Sequence, residues 1–390
     1  MTRTRRVAYV HSGELIGAAD CLPANEGRAW LVHSLVDAFS LVYDSDGSRE
    51  GPARAQIIEP ERASRADLLK FHDERYIDYV QLVAEASTTA ARILRDGEAD
   101  VAINWTGGRH HAKRGEASGF CYVNDIVLAI MELRSSPKPP PPSSSLDSSP
   151  QPSLPSRISR VLYLDIDLHH GDGVESAFFT SPYVLTLSVH LHAPLFFPSS
   201  GALDSTGPAN PKAPSRGHAL NVALEPGLGE ANFKRVWDSC VEKVAKEYGA
   251  DAVVVQVGVD GMVGDPCKEW NLPLSAYGYA LERVLRWNKR TLVLGGGGYN
   301  SANAARAWAY LTSVALGRPL PLDSPIPSDL DAEFYAHFAP DFALDVPEGN
   351  MRDQNTEETL SKVEKAFEEY AGVLHERWAK KRELKQGVQS

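Results

Sequence analysis

At 390 residues and 43% apolar content, the chain is long enough for one large α/β domain or two smaller ones. It carries 40 Lys and Arg against 51 Asp and Glu, and the net charge of −11 disfavours direct, non-specific nucleic-acid binding while suiting a basic partner. No apolar run approaches a membrane span, "MTRTRRVAYV" has no apolar signal core, and four scattered cysteines without a CxxC pair argue for a reducing compartment and against a disulfide framework or a cysteine metal site.

In chain order, the first strong element is "VAINWTGGRHH" (101–111), an apolar β-branched run that ends in glycines and two histidines. "SSPKPPPPSSSLDSSPQPSLPS" (135–156) follows, almost entirely Pro and Ser. It cannot bury enough apolar surface to offset its ordering entropy and reads as a disordered insertion within one domain. Three further runs are "RVLYLDIDLHHGDG" (160–173), "YVLTLSVHLHA" (183–193) and "DAVVVQVGVDG" (251–261); "TLVLGGGGYN" (291–300) is the last. Runs apolar on both faces suit buried parallel strands. Helical patterns lie between them at 229–249 and 273–289. The alternation predicts a doubly wound parallel sheet, with ligands bound beyond the carboxyl ends of its strands.

The reactive residues fall at those ends. Asp165, Asp167 and His169 alternate, so an extended backbone places them on one side. A metal is the simplest means of keeping adjacent carboxylates ionised in a dry place. Oxygen and imidazole donors permit Zn²⁺, and also Fe²⁺ or Mn²⁺. Asp167 and His169 supply two ligands, and Asp260 is a candidate third. Beside a metal, His110 and His111 become a candidate general base and its electrostatic neighbour, with Asp165 and Asp172 available to fix their tautomers. "GGGGYN" lacks a following GK[ST], so Tyr299 reads as a positioned hydroxyl donor rather than part of a phosphate cradle.

"VAINWTGGRHHAKRGEASGFCYVND", "VLYLDIDLHHGDGVESAF" and "TLVLGGGGYNSANAARAWAYLT" resemble the class I histone deacetylases, nearest their type 8 branch. The likeness runs from about "RVAYVHSGE" to "PDFALDVPE". It implies an α/β, single-domain arginase/deacetylase-like fold with a central, mostly parallel sheet flanked by helices. The domain reads as residues 5–375, followed by a polar tail, 376–390.

The resemblance also implies a zinc-dependent hydrolase of N-ε-acetyl-lysine. By that likeness Asp167, His169 and Asp260 bind Zn²⁺, with Fe²⁺ an alternative. His111 is base and later acid, oriented by Asp172. His110 pairs with Asp165, and Tyr299 donates to the oxyanion. Gly119, Phe120, Phe197, Cys267 and Gly297 contact the acyl-lysine, and Arg28 lies near an inner acetate-release cavity. A structural K⁺ or Na⁺ is implied at Asp165, Asp167, His169, Ser188 and Val189, and a second near Phe178 and Val184. Acetylated histone tails or other acetyl-lysine proteins, corepressor partners, and a nuclear location with the cytoplasm as a second are the further implications. Neither direct nucleic-acid nor membrane binding is implied.

Three positions depart from the family pattern. The connection between "FHDERYIDYV" and "VAINW" is shorter than the family's and leaves no residue for its rim aspartate. Arg109 stands where the family has an apolar residue, and Cys267 where it has Leu or Met. Two other readings keep the fold: a hydrolase of small acetylated amines of the polyamine type, and a weakly active protein that binds acetyl-lysine.

Overall fold

The computed structural model describes residues 6–20, 27–43, 54–71, 84–138, 155–210 and 212–386. Most of the Pro/Ser insertion, residues 72–80, the first three residues of the shortened segment 81–100, and Cys21 lie outside the described residues; the rest of that segment is described.

Nine strands form one sheet. They are β1 (Val7–Val10), β2 (Val42–Tyr43), β3 (Ala55–Ile58), β4 (Val101–Asn104), β5 (Val161–Asp165), β6 (Val184–Leu191), β7 (Ala219–Leu224), β8 (Ala252–Gln256) and β9 (Arg290–Leu294). Their order is β2-β3-β1-β4-β9-β8-β5-β6-β7. Every strand pairing described in this sheet is parallel, so the mostly parallel sheet expected from sequence is parallel throughout its described strands.

The strands read apolar on both sides because both sides are covered. In β5, Leu162 and Leu164 join the larger core, and Val161 and Tyr163 the smaller one behind it. In β8, Val253 and Val255 face one way, and Ala252 and Val254 the other. Helices α1 (Arg28–Ala38), α2 (Ala84–Arg95), α3 (Asp125–Leu133), α4 (Asp172–Phe178), α5 (Leu274–Arg286), α6 (Ser301–Ala315) and α7 (Glu357–Gln386) provide most of that cover. Leu35, Leu281, Trp308 and Phe367 pack on the first face, and Leu94, Ile126 and Ile130 on the second.

β8 and β9 come late in the chain yet lie between β4 and β5. This return brings the carboxyl ends of four strands side by side. Each of those ends runs into one of the polar motifs read from the sequence.

Two sequence readings change. The single helix expected over 229–249 is α-helical over Glu230–Val236 and Glu242–Tyr248, with a wider π-helical turn at Trp237–Val241 between them. The boundary at 375/376 falls inside α7, which runs unbroken to Gln386. Trp378 is buried there, with its ring 5.8 Å from that of Tyr248 and the Arg160 guanidinium 4.9 Å above it. The insertion leaves and re-enters at one place: Lys138 N donates to Asp96 Oδ1 (2.9 Å), and Pro155 lies beside Gly97. That geometry suits an excursion within one domain.

Truncating a buried Trp costs about 3–5 kcal/mol. Trp378→Ala is therefore expected to lower the thermal unfolding midpoint by several degrees. A calorimetric scan with an unchanged midpoint would show that the end of α7 is not part of the domain.

Candidate active site

β4 leads into the His110–His111 segment, and the start of α3 grips that segment from below. Asn124 caps α3 through Oδ1, which accepts from Val127 N, while its Nδ2 donates to the Ala112 carbonyl (2.9 Å). The Asp125 carboxyl accepts from the backbone N–H groups of Gly108 (3.0 Å) and Arg109 (2.8 Å) and from the Ser87 hydroxyl. Two consecutive residues thus fix the backbone on both sides of the histidines.

β5 ends at Asp165, and the carboxylates then part company. Asp165 Oδ2 lies 2.8 Å from His110 Nδ1 and accepts from the Tyr163 hydroxyl. Asp167 Oδ2 accepts from Gln256 Nε2 (2.7 Å) and Gly297 N (2.8 Å). His169 Nδ1 stands 2.8 Å from Asp260 Oδ2 and 3.3 Å from Asp167 Oδ1. The expectation that Asp165, Asp167 and His169 share one side along an extended strand is corrected. The strand stops at Asp165, which serves His110, while Asp167 and His169 face Asp260.

His111 Nδ1 lies 2.8 Å from Asp172 Oδ1, at the start of α4. Its ring centroid is 3.8 Å from that of His110, 4.8 Å from Phe197 and 6.0 Å from His169. Gly119 packs between His111 and Phe197 at φ +50; a Cβ there would meet the imidazole at 2.3 Å and the phenyl ring at 2.8 Å. Gly297 is equally constrained, since a Cβ would fall 2.3 Å from Asp260 Oδ2. A narrow cavity is lined by Arg109, His110, His111, Phe120, Asp167 and Tyr299, among others. Phe120, which lines it, is exposed, as is Phe197 against the His111 ring.

The protein's own charges divide the histidines. Burial alone would lower His110, but the Asp167 and Asp165 carboxylates push it up to about 9. His169, also buried, is carried up to about 10 by Asp260 and Asp167. His111 goes the other way, down to about 3, through burial and the positive charge on His110. Burial and the nearby Asp167 raise Asp260 to about 7. Burial, with Asp260 and Asp167 close by, keeps the Tyr299 phenol protonated far into the alkaline range.

Cys267 is half-buried beside the carboxylate and histidine group. Its sulfur, the His169 ring nitrogen and an Asp260 oxygen lie within 4.8 Å of one another, a metal-sized group that sequence spacing argued against. The turn at Asp265 causes this, because its carboxyl accepts from Cys267 N (2.9 Å) and Tyr299 N (2.7 Å). Ser188 pairs with Asp165 across the β5–β6 ladder, with Val189 buried beside it. Phe178 ends α4, and Val184 opens β6. Arg28, at the start of α1, donates to the carbonyls of Gly296 (3.1 Å) and Gly298 (2.8 Å). Arg109 is buried and forms no ion pair with a carboxylate among the described residues.

Sequence reasoning missed Gln256, Asp125, Tyr163 and Asp265. Gln256 has a legible signal, as the one polar side chain inside "AVVVQ". Asp125 and Asp265 read as ordinary cap and turn residues, and Tyr163 as core.

Carboxylates and histidines at the carboxyl ends of adjacent parallel strands define a site of the metal-assisted hydrolase class. Residues 78–140 and 148–315 match a family described as "Histone deacetylase domain". The chain is 36% identical to "Histone deacetylase 8" of Danio rerio over 93% of its own length and 94% of the relative's. It is 34% identical to "Probable histone deacetylase 1-A" of Xenopus laevis, covering 95% of this chain and 76% of the relative. With "Histone deacetylase 6" of Arabidopsis thaliana it shares 33% identity over 96% and 79%. The chain belongs to the histone deacetylase family, metal-dependent hydrolases of acetyl-lysine amides, and within it resembles the type 8 members.

Asp125→Ala would leave the buried N–H groups of Gly108 and Arg109 without their acceptor, at about 1–3 kcal/mol each. Chemical denaturation should show the loss, and turnover of an acetyl-lysine peptide should fall with it. Unchanged stability and turnover would mean that Asp125 does not hold the histidine segment.

Proposed function

We propose that the chain removes acetyl groups from N-ε-acetyl-lysine of histone tails or other proteins, with Zn²⁺ held by Asp167, His169 and Asp260. The observation that carries this reading is that Asp167, which meets His169 and through it Asp260, lines one cavity together with His110, His111 and Tyr299. The donor set fits a metal. Two buried carboxylates face one imidazole nitrogen, and the Gly297 backbone leaves them room. Fe²⁺ suits the same donors. A divalent ion there polarises an acyl carbonyl and lowers the pKa of water beside it toward about 7.

The chain's own residues account for the rest. His111 is neutral at physiological pH and accepts the proton of the attacking water at Nε2, since Nδ1 faces Asp172. It later returns that proton to the departing lysine amine. His110, charged and paired with Asp165, keeps His111 neutral until then. The Tyr299 hydroxyl, which holds its proton, donates to the developing oxyanion. Phe120 and Phe197 flank the methylene stem of the lysine and keep water out. A monovalent K⁺ or Na⁺ near Asp165, Ser188 and Val189 would stiffen the strand ends behind the metal. The names of the relatives support histone substrates; a nuclear location and corepressor partners belong to the same reading.

Three experiments test it. Turnover of an acetyl-lysine peptide should exceed that of an acetylated polyamine and vanish on chelation. A reversed preference would favour the small-amine reading, and no turnover at all the binding-protein reading. Asp167→Ala should lose stoichiometric zinc in metal analysis; full retention would remove Asp167 from the ligand set. Tyr299→Phe should lower kcat about 10²–10³-fold with little change in substrate affinity. An unchanged kcat would refute the oxyanion role.

A further inference from the structure

Asp167, His169 and Asp260 are three ligand-type side chains, and a fourth stands beside two of them. A ring nitrogen of His169, a carboxylate oxygen of Asp260 and the Cys267 sulfur all lie within 4.8 Å of one another. The ligands of a tetrahedral Zn²⁺, at about 2.0–2.3 Å from the ion, sit about 3.5 Å apart. The sulfur is therefore within about 1–1.5 Å of ligand spacing.

The three donors come from separate parts of the chain. His169 follows β5, Asp260 follows β8, and Cys267 sits on the turn that Asp265 holds. Lys268 N closes that turn on the Asp265 carbonyl (3.1 Å), with Lys268 at φ +55. The Asp265 carboxyl also accepts from Tyr299 N, so the turn and the Tyr299 loop are fixed together. Cys267 is free of any disulfide and packs against the larger core. Packing would be served by any apolar side chain of that size. It does not call for a sulfur that faces an imidazole and a carboxylate. Cys121 also lines the catalytic cavity but is not part of this group.

We propose that Cys267 is a fourth protein ligand of the divalent ion at Asp167, His169 and Asp260, bound as a thiolate in the substrate-free protein. This rests on the metal reading given above. Ligation breaks the S–H bond, forms a sulfur–metal bond and releases one proton to solvent per ion; no electron moves. A thiolate is a soft donor, so it favours Zn²⁺ over Fe²⁺ or Mn²⁺ at a site whose other donors are oxygen and imidazole. Four protein ligands close a zinc site, whereas catalysis needs an open position. Substrate therefore displaces Cys267 from the ion before the acyl carbonyl can be polarised.

X-ray absorption at the zinc edge reads the donors directly. It is measured on the full-length protein loaded with one equivalent of Zn²⁺, without substrate. The expected spectrum has one sulfur at about 2.3 Å beside nitrogen and oxygen donors at about 2.0–2.2 Å. Cys267→Ser nearly keeps the volume and should remove the sulfur shell. In competition with a chelator it should also weaken Zn²⁺ binding about tenfold or more, with a smaller change for Fe²⁺. Bound zinc with only nitrogen and oxygen donors in the wild type would overturn the ligation and leave the three-residue site standing. A sulfur shell that survives Cys267→Ser would overturn it equally. Failure of the wild type to bind the equivalent of zinc would overturn the three-residue site itself, and the fourth ligand with it. The wild-type spectrum decides even where the serine variant does not fold.

Discussion

The site depends on holding carboxyl groups in a place without water. Asp125, Asp165, Asp167 and Asp260 are all at most 1% exposed, and each would be costly there alone. Each is answered by specific donors. Asp125 takes two backbone N–H groups, and Asp165 takes Tyr163 and His110. Asp167 takes Gln256 and Gly297 N, and Asp260 takes Leu168 N and His169. These donors come from β4, β5, β8 and β9 or the loops after them. The insertion of β8 and β9 between β4 and β5 is therefore what makes the cluster affordable. With consecutive strands as neighbours, Gln256 and Gly297 would lie far from Asp167.

The same arrangement gives two adjacent imidazoles different tasks. Their rings are 3.8 Å apart, too close for both to be charged in a dry site. His110 looks inward at Asp165 and Asp167 and keeps the proton, while His111 looks toward Asp172 at the edge of the cavity and loses it. Asp172 is shared with Lys113, 3.3 Å from its other oxygen, which weakens its pull on a His111 proton. A base that is neutral yet tethered at Nδ1 presents Nε2 to the cavity in a fixed direction. The imidazole that bonds to the carboxylates thus keeps the ring beside it neutral.

Much of this was open to reading in the sequence. Five both-face apolar runs correspond to β4, β5, β6, β8 and β9, because parallel strands covered on two sides leave no polar alternation to mislead. Asp167, His169 and Asp260 are legible as ligand types at strand ends. What sequence could not give is direction. Alternation put Asp165 with Asp167, but the backbone turns after β5 and aims them at different partners. Spacing alone does not show that the Cys267 sulfur, placed by the Asp265 turn, lies near His169 and Asp260. The end of α7 reads as a polar tail because charged residues outnumber Trp378, whose single ring is enough to dock it.

Arg109 shows best why local reading runs out. In the sequence it is one more basic residue beside "HHAKR". In the fold it stands on the line from an aromatic mouth, past the carboxylates and histidines, to a cavity that already contains Arg28. The order of charge along that line is apolar, then anionic with a place for a cation, then cationic. A neutral amide on a methylene stem matches the first two zones. An apolar residue at 109 would leave the inner zone with Arg28 alone, whose Nη1 is occupied by the Gly296 and Gly298 carbonyls. The second guanidinium turns a cavity with one engaged cation into one with unspent donors.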